Sequence, residues 1–371
     1  MSRQRILFVK HYSTNAKFIL NDIEILKEKY DVEVYTAHTK KNVFIIFSLL
    51  KQFFHLLFNF YKYSLIYIWF GDYHSFIPVM MGKLFGIRTV IAIGGYDATD
   101  IPEIDCGAFN EDNFRKKIRS RMLRYSLKNA DRLLVVDDSL IINTNTYIYS
   151  DIKGKAPLKD GILNFIPGIE NRIEVVYTGF DEDFFKTDSG IAKENFILSV
   201  GYSPNDNEFR RKGFDMLIKA AEEMKDTEFV IVGLNKEQIN NLRKKNLNNL
   251  KVYSYVGMEE LKNFYLRAKV FAQLSLFEGQ PNSLCEAMMY ECIPVGSDVN
   301  GIPRVIGNTG FIVAKKDVNE ICGKLYSALK ASGESGKEIR RRITENFSLK
   351  KRSEKILSVA EDIINSERKF I

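Results

Sequence analysis

The chain has 371 residues, which at ~150 residues per domain points to about two domains. Hydrophobic residues make up 45% and charged residues 27%, a balance that excludes disordered, collagen-like and repeat-fibre chains. Fifty-four Lys and Arg against 47 Asp and Glu leave a net charge of +7, too little over this length to indicate nucleic acid. That excess is equally compatible with a phosphorylated small-molecule ligand or an anionic membrane surface.

The chain opens on MSRQRILFVKHY, a strand that begins almost at once and lacks the pattern of a signal peptide. Strand-like runs RILFVK, DVEVYTA, SLIYIWF, RTVIAI and RLLVV alternate with helical patterns at about 17–30, 42–62, 75–85 and 111–129. Such alternation predicts βαβ units and a parallel sheet covered on both faces. The stretch from Asn42 to Phe70 is broken by Lys51, Gln52, His55, Asn59 and Lys62, short of the ~18 clean apolar residues of a membrane span. Regularity is lost over 137–170, where Gly and Pro supply turns. A strand RIEVVYTGF follows, and the acidic segment DEDFFKTDSG reads as an interdomain linker.

From NFILSVG the alternation restarts. Strands EFVIVG, LKVYSYVG, KVFAQLS, CIPVGS and TGFIVA alternate with helices near 213–225, 236–247, 258–267, 282–291 and 317–331. The expected fold is α/β, with two doubly wound Rossmann-like domains facing across a cleft. The first domain spans 1–183 and the second 190–349, with an amphipathic C-terminal helix at about 350–371 packing back on the first. Ligands of such sheets bind beyond the carboxyl ends of the strands. Cys106, Cys285, Cys292 and Cys322 are far apart without a C-x-x-C pair, and His11, His38, His55 and His74 lack metal-ligand spacing, so no metal site is expected. The expected location is the cytoplasm, with peripheral attachment to the inner membrane face as an extension.

The segment LSLFEGQPNSLCEAMMYECIPVGSDVNGIPRVI carries the most chemistry. Glu278 and Glu286 flank a turn made by Gly279, Gln280, Pro281 and Asn282, and a helix runs on from there. The amides at the start of that helix, near Asn282 and Ser283, suit a phosphate. Glu278 suits sugar hydroxyls and Glu286 a ribose. Upstream, Arg210, Arg211, Lys212 and Gly213 close a polar loop after a strand, placing cations where a diphosphate would need them.

The pattern Glu278-Gly279-Gln280-Pro281 through Glu286-Ala287-Met288, followed by Pro294-Val295 and Gly301-Ile302-Pro303, resembles the Glu-x7-Glu signature of retaining glycosyltransferases with the GT-B fold. It is similar to glycosyltransferase family 4, the glycosyl transferases group 1. The resemblance implies a nucleotide-diphosphate sugar donor, UDP- or GDP-linked, an acceptor hydroxyl, retention of anomeric configuration, and neither cofactor nor metal. It implies donor contacts at Arg211, Lys212, Gly257, Met258, Glu278, Gly279, Gln280, Pro281, Asn282, Ser283 and Glu286, with Glu278 and Lys212 catalytic. Family members commonly carry an Arg where Tyr202 stands and a His where Gly94 and Gly95 stand; Arg210 or Arg211 is the substitute for the former. On the acceptor side the candidates are Asn15, His74 and Asp97, with Asp97 a further catalytic group, against an ordinary turn or cap reading of Asp97. The basic helix around 113–128 and the aromatic helix near 43–62 fit an anionic membrane, and the acceptor is then a lipid-linked saccharide for surface polysaccharide. The alternatives are a nucleotide-sugar epimerase of similar fold and a non-catalytic nucleotide-sugar binder with a decayed site.

Overall fold

The computed structural model describes residues 3–11, 16–38, 42–187, 191–332 and 335–366. The chain divides into two compact units. Unit 1 comprises Met1–Asn143, Asp160–Gly179 and Leu349–Ile371, and unit 2 comprises Thr144–Lys159 and Phe180–Ser348.

In unit 1 the elements run β1 (Arg5–His11), α1 (Lys17–Lys29), β2 (Asp31–Ala37), α2 (Asn42–Asn59), β3 (Leu65–Trp69), α3 (Tyr73–Phe85), β4 (Arg88–Ile93), α4 (Phe114–Asn129) and β5 (Arg132–Val135). In unit 1, α5 (Ile162–Phe165) and β8 (Ile173–Val175) follow two short strands, β6 (Asn143–Asn145) and β7 (Leu158–Asp160), which pair with each other and lie mostly in the Thr144–Lys159 segment of unit 2. The six-stranded sheet has the order β2-β1-β3-β4-β5-β8, and every pairing is parallel. Its central strands are covered on both faces, which is why β3 reads as unbroken LIYIW and every one of its residues is buried.

The strand expected over RIEVVYTGF is confined to Ile173–Val175. The carbonyls of Val176 and Tyr177 turn instead to the guanidinium of Arg352, 2.8 and 2.7 Å away. Arg352 lies on the last described helix, α14 (Leu349–Asn365), and pairs in fork geometry with Asp22 of α1 at 2.6 and 2.7 Å. Asp22 also accepts from Tyr67 Oη and Trp69 Nε1, so the buried carboxylate is fully partnered. Lys29 and Glu361 add an exposed pair along the same helix contact.

Unit 2 runs β9 (Glu194–Ser203), α6 (Asp206–Arg211), α7 (Phe214–Glu223), β10 (Glu228–Leu234), α8 (Lys236–Lys244), β11 (Leu250–Tyr253), α9 (Met258–Arg267), β12 (Ala268–Gln273), α10 (Asn282–Met289), β13 (Ile293–Ser297), α11 (Gly301–Ile306), β14 (Phe311–Val313), α12 (Val318–Lys330) and α13 (Ser335–Asn346). Its sheet is again six-stranded and parallel, in the order β11-β10-β9-β12-β13-β14. The order reverses between β9 and β12. In open α/β sheets that reversal opens a crevice at the strands' carboxyl ends, and it directs attention to the loops after Ser203 and after Gln273. In the segment expected to link the domains, Phe180 and Phe185 are buried, and Arg340 donates to the Phe185 carbonyl.

Candidate functional site

The polar stretch after β9 was expected to be a loop, but its middle is the one-and-a-half-turn helix α6. Asn205 caps it by accepting from the Glu208 amide, and Asp206 and Glu208 lie in its first turn, where the helix dipole favours acids. The helix ends at Gly213, whose φ of +70° suits glycine. A Cβ at Gly213 would stand 2.0 Å from the Leu274 carbonyl oxygen, so this residue alone lets the chain pass against the end of β12. Leu276 N–H donates to the Arg211 carbonyl at 2.8 Å and locks the approach. The Lys212 stem lies over Gly201, where a Cβ would meet Lys212 Cδ at 3.1 Å.

The two loops at the reversal point bring Lys212 and Glu278 together, with Nζ 2.7 Å from Oε1. Their side chains are only 14% and 11% exposed, so neither charge is compensated by bulk water. The same Oε1 accepts from Ser275 Oγ at 2.9 Å and Gln273 Nε2 at 3.2 Å. Arg211 stands 3.5 Å from it while donating to Glu208 and to the Phe277 carbonyl. Arg211, and not the exposed Arg210, is therefore the second cation of this cluster. Burial pushes the Lys212 ammonium below its ordinary value against the opposing pull of Glu278. Burial pushes Glu278 upward, but Lys212 and Arg211 outweigh it and hold the carboxyl below its usual range. The pair is thus an ionised acid beside two cations in a poorly solvated site.

Gln273 extends the network, because its Oε1 accepts from Ser283 Oγ at 3.1 Å. Ser283 sits in the first turn of α10, behind Pro281 at the N-cap, so the start of that helix is tied to Glu278 through a single amide side chain. Asn300, at φ +43°, accepts from the Glu278 N–H at 3.4 Å. Gly279 and Gln280 are buried in the turn. Glu286, half-buried, accepts from Tyr265 Oη at 3.1 Å. Gln273, Ser275, Asn300 and Tyr265 escaped the sequence reading. Ser275 and Gln273 sit three and five residues ahead of Glu278 on a strand end, a spacing that acquires meaning only once the strand's end is known.

Gly257 caps α9 with open space around its Cα, and Met258 beside it is exposed. Strand β11 stops at Tyr253, short of the Tyr255–Val256–Gly257 turn.

Of the acceptor-side candidates, Asp97 and His74 are both buried. Asp97 was expected just past a strand's carboxyl end, facing the cleft; its side chain is fully buried. Its Oδ1 accepts from the amides of Gly94 and Gly95, and its Oδ2 from Gly71 at 2.8 Å. A short acid beside three amides that lack a ladder partner organises the loops after β3 and β4, which is the turn reading. Burial raises its pKa to about 6, against the opposing effect of those amides. His74 is likewise buried, in the first turn of α3, where Nε2 meets the Trp69 carbonyl oxygen at 2.9 Å and burial lowers its pKa. Asn15 lies outside the described residues. The place where family members carry a His has a steric explanation. Phe70, at φ +67°, lays its ring on Gly94, and a Cβ there would come 2.2 Å from Phe70 Cε1.

With this geometry in place, the likenesses to known proteins are specific. Residues 181–348 match the family model described as Glycosyl transferases group 1. A trehalose synthase of Thermococcus litoralis is 37% identical over 116 residues, a stretch covering 30% of this chain and 27% of that protein. A sucrose-phosphate synthase from Thermosynechococcus elongatus superposes with a TM-score of 0.73 at 15% identity, over 98% of this chain and 100% of that one. Anabaena Alr3699/HepE, solved in complex with UDP, gives 0.69 at 14% identity over 97% and 100%. A structure of HepE with UDP-glucose gives 0.66 at 13% over 96% and 99%. The family match thus falls within unit 2, and the chain has the GT-B fold.

Proposed function

We propose that the protein transfers a sugar from a nucleotide-diphosphate sugar to an acceptor hydroxyl. The observation that carries this reading is the Lys212–Glu278 pair, with Arg211 beside it, at the carboxyl ends of the strands where the sheet order reverses. The solved complexes of HepE with UDP and UDP-glucose support a donor of that class.

In this account the donor's diphosphate competes with Glu278 for Lys212. As the bond between the anomeric carbon and the phosphate oxygen breaks, negative charge grows on the leaving group. Lys212, Arg211 and the first-turn amides of α10 are already fixed where it grows, so they stabilise the transition state more than the ground state. Cations thereby do the work a divalent metal does elsewhere. Glu278, released from Lys212, accepts from sugar hydroxyls, and Glu286 accepts from the ribose. The acceptor oxygen bonds to the anomeric carbon on the face the phosphate leaves, and its proton passes to the departing phosphate oxygen. The configuration is retained. The acceptor in this reading is a lipid-linked saccharide at the cytoplasmic face of a membrane, in the building of surface polysaccharide.

The test is donor turnover over a panel of UDP- and GDP-sugars with saccharide-lipid acceptors, reading the product anomer by proton coupling. An α-linked product from an α-linked donor is expected. An inverted product would contradict the mechanism, and donor turned over with no acceptor present would favour an epimerase.

A further inference from the structure

The helix α2 departs from the behaviour of a helix covering a sheet. Its inner side is engaged, since Leu56 is buried and Gln52 donates to the His74 carbonyl at 3.0 Å. Its outer side is apolar rather than polar. Ile46, Phe47, Leu50, Phe54 and Phe58, with Tyr61 in the turn that follows, are between 47% and 71% exposed. From Phe47 onward these residues are three or four apart, and Lys51 shares their stripe. Scattered exposed apolar residues need no explanation, but a continuous aromatic stripe along an 18-residue helix does.

The charge around the stripe identifies what covers it. Helix α2 packs on α3, and α3 on α4, where Ser75 Oγ donates to Ser126 Oγ at 2.9 Å. The three helices contain Lys51, Lys83 and seven Lys and Arg of α4, and no Asp or Glu. From Val34 to Gly71 the sequence has no acid at all. On α4, Arg115, Lys117 and Arg121 are exposed, and Phe114 and Ile118 add apolar surface beside them. A second copy of the chain docking here by a two-fold axis would set this cationic layer against itself, which like-charge repulsion opposes. An anionic bilayer answers both features at once. Aromatic side chains enter the acyl boundary while Lys51 and the α4 cations meet lipid phosphates. No described helix is long and apolar enough to cross a membrane, so the contact lies along the surface.

We infer that the outer face of α2, with the cations of α4, is a docking surface for an anionic phospholipid bilayer. The inference deepens the lipid-linked acceptor reading but stands on unit 1 alone, independently of the donor site. The experiment is co-sedimentation of the full chain with phosphatidylcholine vesicles, with and without phosphatidylglycerol. Binding is expected only with the anionic lipid, weakening as salt rises. The variant Phe54→Ser/Phe58→Ser alters exposed side chains and should keep its unfolding midpoint and nucleotide response while losing roughly tenfold in vesicle affinity per ring removed. Lys117→Glu/Arg121→Glu should weaken binding chiefly at low salt. Lys212→Ala should bind vesicles like wild type, which separates failure of this surface from failure of the donor site. Absence of binding to anionic vesicles, or equal binding by the Phe variant, would overturn the inference. So would a dimer in solution that becomes monomeric in that variant, which would assign the face to a second copy.

Discussion

Lys212 and Glu278 are each other's principal charge partner, so removing either changes more than one interaction. Lys212→Ala deletes the ammonium that, on the proposed mechanism, meets the leaving phosphate, and it leaves Glu278 with Arg211, Ser275 and Gln273. The turnover number should fall by about 10²–10³, as when one preorganised donor to a developing charge is lost. On the proposed mechanism, Glu278→Gln keeps the volume but loses the negative charge and one of the two acceptor oxygens offered to sugar hydroxyls, and its turnover should fall by a similar factor. Single-turnover kinetics beside unfolding midpoints separates chemistry from folding. Asp97 gives a prediction with a definite sign. Its folded pKa, about 6, lies above the ordinary 3.8, so the folded state holds the proton more tightly than the unfolded chain. Its contribution to stability is fully present below the unfolded value and is lost as pH rises through the folded one. The stability of wild type relative to Asp97→Asn should therefore decline by about 3 kcal/mol between about pH 4 and about pH 6, measured by denaturant unfolding. A relative stability that rises across that window would reverse the assignment.

At the scale of elements, two contacts hold pieces of the fold in place, one beside Lys212 and one within unit 1. Gly213 ends α6 in a conformation costly for other residues, with the Leu274 carbonyl where a Cβ would stand. Gly213→Ala should cost about 2 kcal/mol or more and weaken nucleotide binding, because α6 can no longer bring Lys212 to the end of β12. The fork between Arg352 and Asp22 fixes α14 on α1, and both side chains are buried. Arg352→Ala would strand a carboxylate in the core and should destabilise unit 1 by about 3–5 kcal/mol in chemical unfolding. Both predictions concern contacts with no local sequence signature. Gly213 and Lys212 could be singled out from the strand-to-helix pattern, whereas α6 was hidden inside what looked like a polar loop. Nothing near Arg352 in the sequence announces a partner 330 positions away.

At the scale of the molecule, alternating apolar strands and amphipathic helices were enough to read two doubly wound parallel sheets, because buried strands must be apolar throughout. The order of the strands was not readable, and it is the order that sets Lys212 and Glu278 at the reversal point of the sheet. The residues from Glu278 to Glu286 could be picked out together because loop-to-helix chemistry compresses them into one contiguous motif, whereas Lys212 stands 66 positions earlier. Asp97 and His74 were picked out singly, for polarity near strand ends, and the sequence did not show that both are buried. The aromatic helix near 43–62 could be marked in the sequence as fitting a membrane, but which of its residues face outward could not, since an apolar helix in sequence reads as core whichever way it faces.

The central claim, a nucleotide-diphosphate site at Lys212 and Glu278, is tested most directly by thermal unfolding with UDP, GDP, ADP and CDP in turn, on wild type and Lys212→Ala. At ~100 times its dissociation constant, the matching nucleotide should add about 2.7 kcal/mol, a rise of a few degrees for one nucleotide in preference to the others. That rise should vanish in Lys212→Ala. Wild-type midpoints unmoved by all four nucleotides, or a shift that survives the loss of Lys212, would contradict the account.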